Sequence, residues 1–255
     1  MAGRLEGKVI IILGASEESS MGAATARHCQ KEGAKLILAA RRVDNVKAVA
    51  DSLGAIAMGC DITDEDQLAA LADAAVSHYG RLDGAINFAG VDTASPIADL
   101  TREVLQQSCD VHLIGTALFI KQMAARMTEG GSLVTTSSQT TIMAPPGLAA
   151  YAGTKSGADQ IVRIAAVEYG GQNIRVNSLS PGFTPSAMTA GYMAVPSIKQ
   201  AFLNEIPMGR LPTTDDMANA AVWLLSDESF MTGSLLDLSG GQTLRRVPTA
   251  TEMGF

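Results

Sequence analysis

Residues 9–26 read Val9-Ile10-Ile11-Ile12-Leu13-Gly14-Ala15-Ser16-Glu17-Glu18-Ser19-Ser20-Met21-Gly22-Ala23-Ala24-Thr25-Ala26. Five uninterrupted aliphatic residues suit a strand buried on both faces, as in the middle of a parallel sheet. Gly14 opens a turn, and the small residues after Gly22 suit a helix packed close to that strand. At such a turn, free backbone N–H groups and the positive helix end attract an anion, so the segment has the form of a pyrophosphate cradle involving Gly14, Ser16, Ser20, Met21 and Gly22. It departs from the usual Gly-x-x-x-Gly-x-Gly by two extra residues, with Ser20 where a middle glycine is expected. A plain strand-to-helix turn is the alternative use of the two glycines.

The rest of the chain repeats this rhythm. Further strand candidates are Leu36–Ala39, Ile56–Met58, Gly84–Phe88, Ser132–Thr136, Arg175–Ser180 and Leu235–Leu238, mostly separated by enough chain for a crossover helix. This alternation predicts an α/β fold: a doubly wound, seven-stranded parallel sheet with helices on both faces, forming one domain over 1–255. Helix starts are expected at Thr63-Asp64-Glu65-Asp66 and Thr213-Thr214-Asp215-Asp216, where a hydroxyl can cap and acidic groups face the positive helix end. Residues 182–205 are expected to form a mobile substrate lid, irregular from Gly182 to Pro196, and 242–255 a C-terminal tail.

Of the 255 residues, 47% are hydrophobic and 18% charged, and the net charge is -7 with a pI near 5.0. No basic cluster exceeds Arg41-Arg42 or Arg245-Arg246, which argues against nucleic acid as a partner. The short N-terminal apolar run suits neither a signal segment nor a membrane span, so a cytoplasmic protein is expected. Cys29, Cys60 and Cys109 have neither disulfide-framework nor zinc spacing, so they are read as reduced thiols and no metal is expected.

Tyr151 and Lys155 stand four residues apart in Tyr-Ala-Gly-Thr-Lys, and Ser138 lies thirteen residues before the tyrosine. On a helix, positions i and i+4 share a face, so the ammonium can stand beside the phenol and favour its ionised form.

Together with Cys60-Asp61-Ile62, Asn87-Phe88-Ala89-Gly90, Ser137-Ser138, Ser180-Pro181-Gly182 and Ser239-Gly240-Gly241, these residues resemble the short-chain dehydrogenase/reductase family over nearly the whole chain. The lengthened glycine turn is similar to that of the enoyl-carrier-protein reductases, a branch whose tyrosine and lysine are spaced more widely. The resemblance therefore implies NAD(P)-dependent carbonyl or alcohol chemistry. Tyr151 would transfer the proton, Lys155 would hold the nicotinamide ribose and lower the tyrosine pKa, and Ser138 would bind the substrate oxygen, with Ser137 as its competitor. Asp61 and Ile62 would meet the adenine, and Asn87, Ala89 and Gly90 would close the cofactor cleft. Pro181 and Gly182 would reach the nicotinamide, as would Ser186 in the place of the family threonine that touches the carboxamide, with Thr184 as its competitor. Where the family has an asparagine anchoring a proton relay, this chain has His112, read either as part of that relay or as a packed, silent ring.

Cofactor choice falls near the end of the second strand, Ala39-Ala40-Arg41-Arg42. No carboxylate is available there for a ribose 2′-hydroxyl, and Arg41 can pair with a 2′-phosphate, so NADP(H) is favoured with NAD(H) as the alternative. Glu17 and Glu18 near the adenosine, or Asp44 swinging back, would work the other way, and Arg42 is read as a solvated charge. The resemblance puts substrate beside Val91, Gln139, Thr140, Ile142, Met143, Phe183, Met188, Tyr192, Met193 and Phe202. This Met-containing apolar wall suits a small hydrophobic ketone or secondary alcohol. An enoyl or imine reductase and a non-catalytic NADP(H) sensor are the rival functions. The family usually assembles as tetramers, with a dimer as the alternative, and Val247, Met253 and Phe255 of the tail are expected to cover a neighbouring subunit's site.

Overall fold

The computed structural model describes residues 2–254. Seven parallel strands run in the order β3-β2-β1-β4-β5-β6-β7: β1 (Val9–Leu13), β2 (Lys35–Ala40), β3 (Ile56–Gly59), β4 (Gly84–Asn87), β5 (Gly131–Thr136), β6 (Ile174–Pro181) and β7 (Leu235–Leu238). Each observed strand contains the predicted core, with ends moved by at most a residue or so. The helices are α1 (Met21–Lys31), α2 (Val43–Leu53), α3 (Glu65–Tyr79), α4 (Arg102–Ser108), α5 (Gly115–Ala124), α6 (Ala149–Gly170), α7 (Ala190–Met193), α8 (Pro196–Glu205), α9 (Thr214–Leu225) and α10 (Ala250–Met253).

The all-aliphatic β1 serves two cores because successive side chains point to opposite faces. Val9, Ile11 and Leu13 join Leu68 and Leu71 of α3, Phe119 and Met123 of α5 and Val162 of α6. Ile10 and Ile12 join Ala23 and Ala26 of α1, Val46 and Val49 of α2 and Met217 and Ala221 of α9. Each fully buried aliphatic side chain contributes about 1.5–3 kcal/mol. A one-residue slip of β1 would exchange the two sets, so the pairing Ile11↔Ile37 and Ile11↔Ala85 is well specified. Strand order reverses between β1 and β4, which opens a crevice at the carboxyl ends of the strands.

Two local expectations change. At α3 the cap is Asp64, whose carboxylate accepts the Gln67 N–H, while the Thr63 hydroxyl donates instead to Asp61. At α9 the expected Thr213 caps, and Asp216 completes a reciprocal box. The stretch from Gly182 to Pro196 is less irregular than its prolines suggested. Ser186 and Thr189 close a hydroxyl-bridged turn, α7 follows, and Pro196 begins α8 at the first helical position, where its missing N–H costs nothing. Among the described residues, no helix is long and apolar enough to cross a membrane, and no acidic, His and Cys cluster could hold a metal ion.

Candidate active site

The turn between β1 and α1 is tightly built. Gly14 has φ of +99°, and a Cβ there would stand 2.9 Å from the Phe88 backbone; one on Gly22 would stand 2.5 Å from the Gly14 carbonyl oxygen. Packing within the turn therefore accounts for both glycines. Ser20, in the place of the middle glycine, is the α1 N-cap and accepts the Ala23 N–H at 3.1 Å. The amides of Met21 and Gly22 lie in the first turn, where the helix offers no carbonyl partner, so a pyrophosphate fits beside them. Glu17 and Glu18 are drawn into ion pairs with Arg42 at 3.3 Å and Arg27 at 2.9 Å. Arg42 is thus exposed yet paired, which modifies its reading as a purely solvated charge.

Past the ends of β2 and β3, Arg41, Asp61 and Val91 line a cleft of about 490 Å3, where the resemblance would put the adenosine. Asp61 accepts both the N–H and the hydroxyl of Thr63, at 3.0 and 2.9 Å, while the Ile62 side chain is buried against Gly115. Buried Asn87 accepts the Ala89 N–H at 2.8 Å, and its carbonyl accepts the Thr136 hydroxyl at 2.7 Å. The loop through Gly90 is thereby tied to the ends of β4 and β5.

Ser138, Tyr151 and Lys155 meet beyond β5. Tyr151 lies in the first turn of α6, with the Lys155 Nζ one turn on, 5.9 Å from the ring centroid. That ammonium is 4% exposed and donates to the Thr136 carbonyl at 2.5 Å. Burial pushes its pKa down to about 8, against the pull of the Asp159 carboxylate one turn further along. Burial also holds the Tyr151 phenol above its ordinary value near 10; Asp92 adds to the rise and the Ser138 hydroxyl opposes it. The expected lowering of the phenol therefore does not appear: burial raises it, and near neutral pH the phenol stands protonated. Both serines line the chamber; Ser137 donates to buried Asp159 at 2.6 Å, whereas Ser138 caps the turn after β5 by accepting the Thr140 N–H at 3.2 Å and keeps its own hydroxyl proton for a partner beside the phenol.

His112 belongs to a π-helical segment, Cys109–Ile114, set between α4 and α5. Such wide turns are rare and frequent at functional sites. The ring is 1% exposed and meets Tyr151 edge to face, with centroids 5.0 Å apart. Its Nε2 accepts the Val91 N–H at 3.1 Å, so the proton sits on Nδ1, 3.1 Å from the Thr154 hydroxyl, which in turn donates to the Ala150 carbonyl at 2.8 Å. Burial, with the Lys155 charge second, pushes the imidazole down to about 3. Both nitrogens are thus engaged in hydrogen bonds, and burial favours the neutral ring.

Above the phenol lies a chamber of about 590 Å3. Most of the expected wall faces it, and Phe183 stacks on Phe202 with centroids 4.0 Å apart. Ile142 and Met193 do not line it, and Val91 faces the adenosine-side cleft. Thr184 and Ser186 both reach the chamber, Thr184 3% exposed and donating to the Gly182 carbonyl. The tail was expected over a neighbouring subunit, but Val247, Thr249 and Met253 line the chamber of their own chain. Arg246 holds them there through Glu205 of α8 at 2.8 Å and Glu252 at 2.7 Å, and Ser197 donates to the Met253 carbonyl at 2.8 Å. Phe255 lies outside the described residues.

Sequence reading missed Asp159, Asp92 and the tail's fold-back. Asp159 continues the Tyr151–Lys155 spacing by another four residues and was findable that way. Asp92 had only its place just beyond Gly90.

Residues 14–243 match the family described as Enoyl-(Acyl carrier protein) reductase. The chain is 36% identical over 94% of its length to a 2,5-dichloro-2,5-cyclohexadiene-1,4-diol dehydrogenase of Sphingobium indicum, covering 98% of that protein. It belongs to the short-chain dehydrogenase/reductase family. A 3beta-hydroxysteroid dehydrogenase 1 of Eggerthella lenta is 32% identical over 94% of the chain and 95% of the relative. A trans-4-hydroxycyclohexanecarboxylate dehydrogenase of Sinomonas cyclohexanicum is 32% identical, over 94% of each. The structure of a short-chain type dehydrogenase/reductase from Mycobacterium ulcerans superposes with a TM-score of 0.92 at 30% identity, covering 98% of this chain and 94% of that one. The protein is accordingly an oxidoreductase of a family that binds a nicotinamide cofactor.

Proposed function

We propose that this protein interconverts a hydrophobic secondary alcohol and its ketone, with Tyr151 as the acid and base, Ser138 holding the substrate oxygen, and Lys155 and His112 positioning the phenol. The carrying observation is a half-buried phenol beside a buried ammonium on one face of α6, beneath an apolar chamber. The bound nicotinamide would supply or accept the hydride. In reduction the protonated Tyr151 gives its proton to the carbonyl oxygen; in oxidation the phenolate, favoured by the nearby ammonium, takes the alcohol proton. The apolar wall and the tail exclude water from that transfer. Relatives whose names specify cyclic diols, sterols and hydroxycyclohexane acids favour a ring-bearing substrate.

Met21 and Gly22, Asn87 to Gly90, Lys155 and Thr184 would hold the cofactor. With no carboxylate after Ala40 and Arg41 open to the adenosine-side cleft, NADP(H) is the better fit and NAD(H) the alternative. Residues 182–205 would act as the lid of a single-domain subunit, working as a homotetramer in the cytoplasm, whose reducing conditions suit three free thiols. The test is a panel of cyclic alcohols, ketones, enones and imines run with both cofactors. Alcohol or ketone turnover, faster with NADP(H), is expected. Turnover confined to enones or imines, or none at all with cofactor bound, would overturn the reading.

A further inference from the structure

Among the described residues, two charged side chains line the substrate chamber, Lys155 and Asp92. They differ in availability. Lys155 is buried beneath the phenol, spends a hydrogen bond on the Thr136 carbonyl and has the buried Asp159 carboxylate for company. Asp92 is exposed, and its Oδ1 accepts only the Ala94 N–H at 3.1 Å; among the described residues it makes no ion pair. Arg41 and Arg102 face the adjoining cleft instead, together with Glu103 and Asp110. One carboxylate without an ion-pair partner therefore faces the chamber, and its charge acts in the sense that raises both Tyr151 and Tyr192, behind burial as the main cause. The neutral imidazole of His112 adds no charge to offset it.

From this placement, and resting on the alcohol and ketone reading above, we infer that Asp92 is a specificity-determining residue that makes the chamber accept uncharged substrates and reject those carrying a carboxylate. A substrate whose alcohol carbon reaches Tyr151 shares with Asp92 the chamber that both residues line. A carboxylate on that skeleton loses hydration and meets a like charge, and nothing in the lining except the already engaged Lys155 repays it. The chain's net charge of -7 acts in the same sense at longer range. A hydroxycyclohexane acid, the substrate class named for one relative, is thus disfavoured here relative to its uncharged analogues.

The pair cyclohexanecarboxamide and cyclohexanecarboxylate has nearly one shape and differs in charge, so calorimetric binding to the full-length protein isolates the effect without requiring turnover. The carboxamide is expected to bind about tenfold more tightly than the carboxylate at low salt, the scale of one partly screened like-charge contact. Asp92→Asn should bring the carboxylate to within about twofold of the carboxamide, and added salt should narrow the wild-type gap. Equal binding of the two by wild type, a gap that survives in Asp92→Asn, or failure of the carboxamide to bind would each overturn the inference. Absence of alcohol turnover alongside the expected binding pattern would instead sink the proposed reaction and leave the charge filter standing.

Discussion

Replacing Asp159 with Asn should move the pH dependence of the reaction without dismantling the site. Asp159 is 5% exposed and accepts the hydroxyls of Ser137 at 2.6 Å and Ser178 at 2.7 Å. Asparagine keeps one oxygen acceptor, and its amide can donate to a serine hydroxyl that rotates, so the structural cost is about 1 kcal/mol. The electrical consequence is larger. Burial has already brought Lys155 to about 8, and Asp159 is what opposes a further fall. Losing a neighbouring negative charge lowers a buried ammonium's pKa by about one, from about 8 to about 7. On the proposed mechanism, ketone reduction needs protonated Tyr151 and charged Lys155, and both are lost as pH rises. Because the phenol lies above its ordinary 10, Lys155 titrates first. In wild type kcat/KM for reduction is therefore flat below neutrality and falls through about 8. In the variant it falls through about 7, leaving the two proteins equal near pH 6, about threefold apart at pH 7.5 and about tenfold apart above pH 9. The assay is ketone reduction followed by NADPH absorbance across pH 5.5–9.5, with circular dichroism confirming the fold. A descending limb that stays in place, or a loss uniform across pH, would refute the role given to Asp159.

His112→Asn should leave the shape of the pH profile unchanged, since an imidazole pushed down to about 3 never titrates in the working range, while kcat falls several-fold through a looser Tyr151. A new inflection near pH 6 to 7 in wild type, absent from the variant, would restore the relay reading. Arg246→Ala removes the anchor shared by Glu205 and Glu252, so substrate KM should rise with little change in kcat or melting temperature. A kcat loss at constant KM would show that the tail does something other than cover the chamber. Thr213→Ala breaks the reciprocal cap of α9 and should cost about 1 kcal/mol in a denaturant titration, without affecting cofactor binding.

The fold was legible because parallel strands buried on both faces leave a continuous signature, as in Val9–Leu13, and each one carries a helix-length segment behind it. The trio was legible because its spacing survives folding: i and i+4 on α6, and a strand end that meets that helix. The π segment around His112 escaped because one wide turn leaves no change of hydrophobic period in six residues. The sign of the Tyr151 shift escaped for a different reason. Spacing shows that an ammonium is near but not how dry the pair is, and here burial is the largest influence on both groups. The tail's destination depended on Arg246 finding Glu205, forty-one residues earlier in the chain, which no local pattern encodes.

The central claim is that the Tyr151 phenol moves the proton. Tyr151→Phe keeps the ring against His112 and deletes only the hydroxyl, so NADPH binding by calorimetry and ketone reduction under single-turnover conditions separate the two functions of the site. We expect cofactor affinity within about twofold of wild type and a reduction rate lower by about 10²-fold or more, the usual weight of a positioned proton donor. A variant that binds NADPH and still reduces ketone at close to the wild-type rate would contradict it.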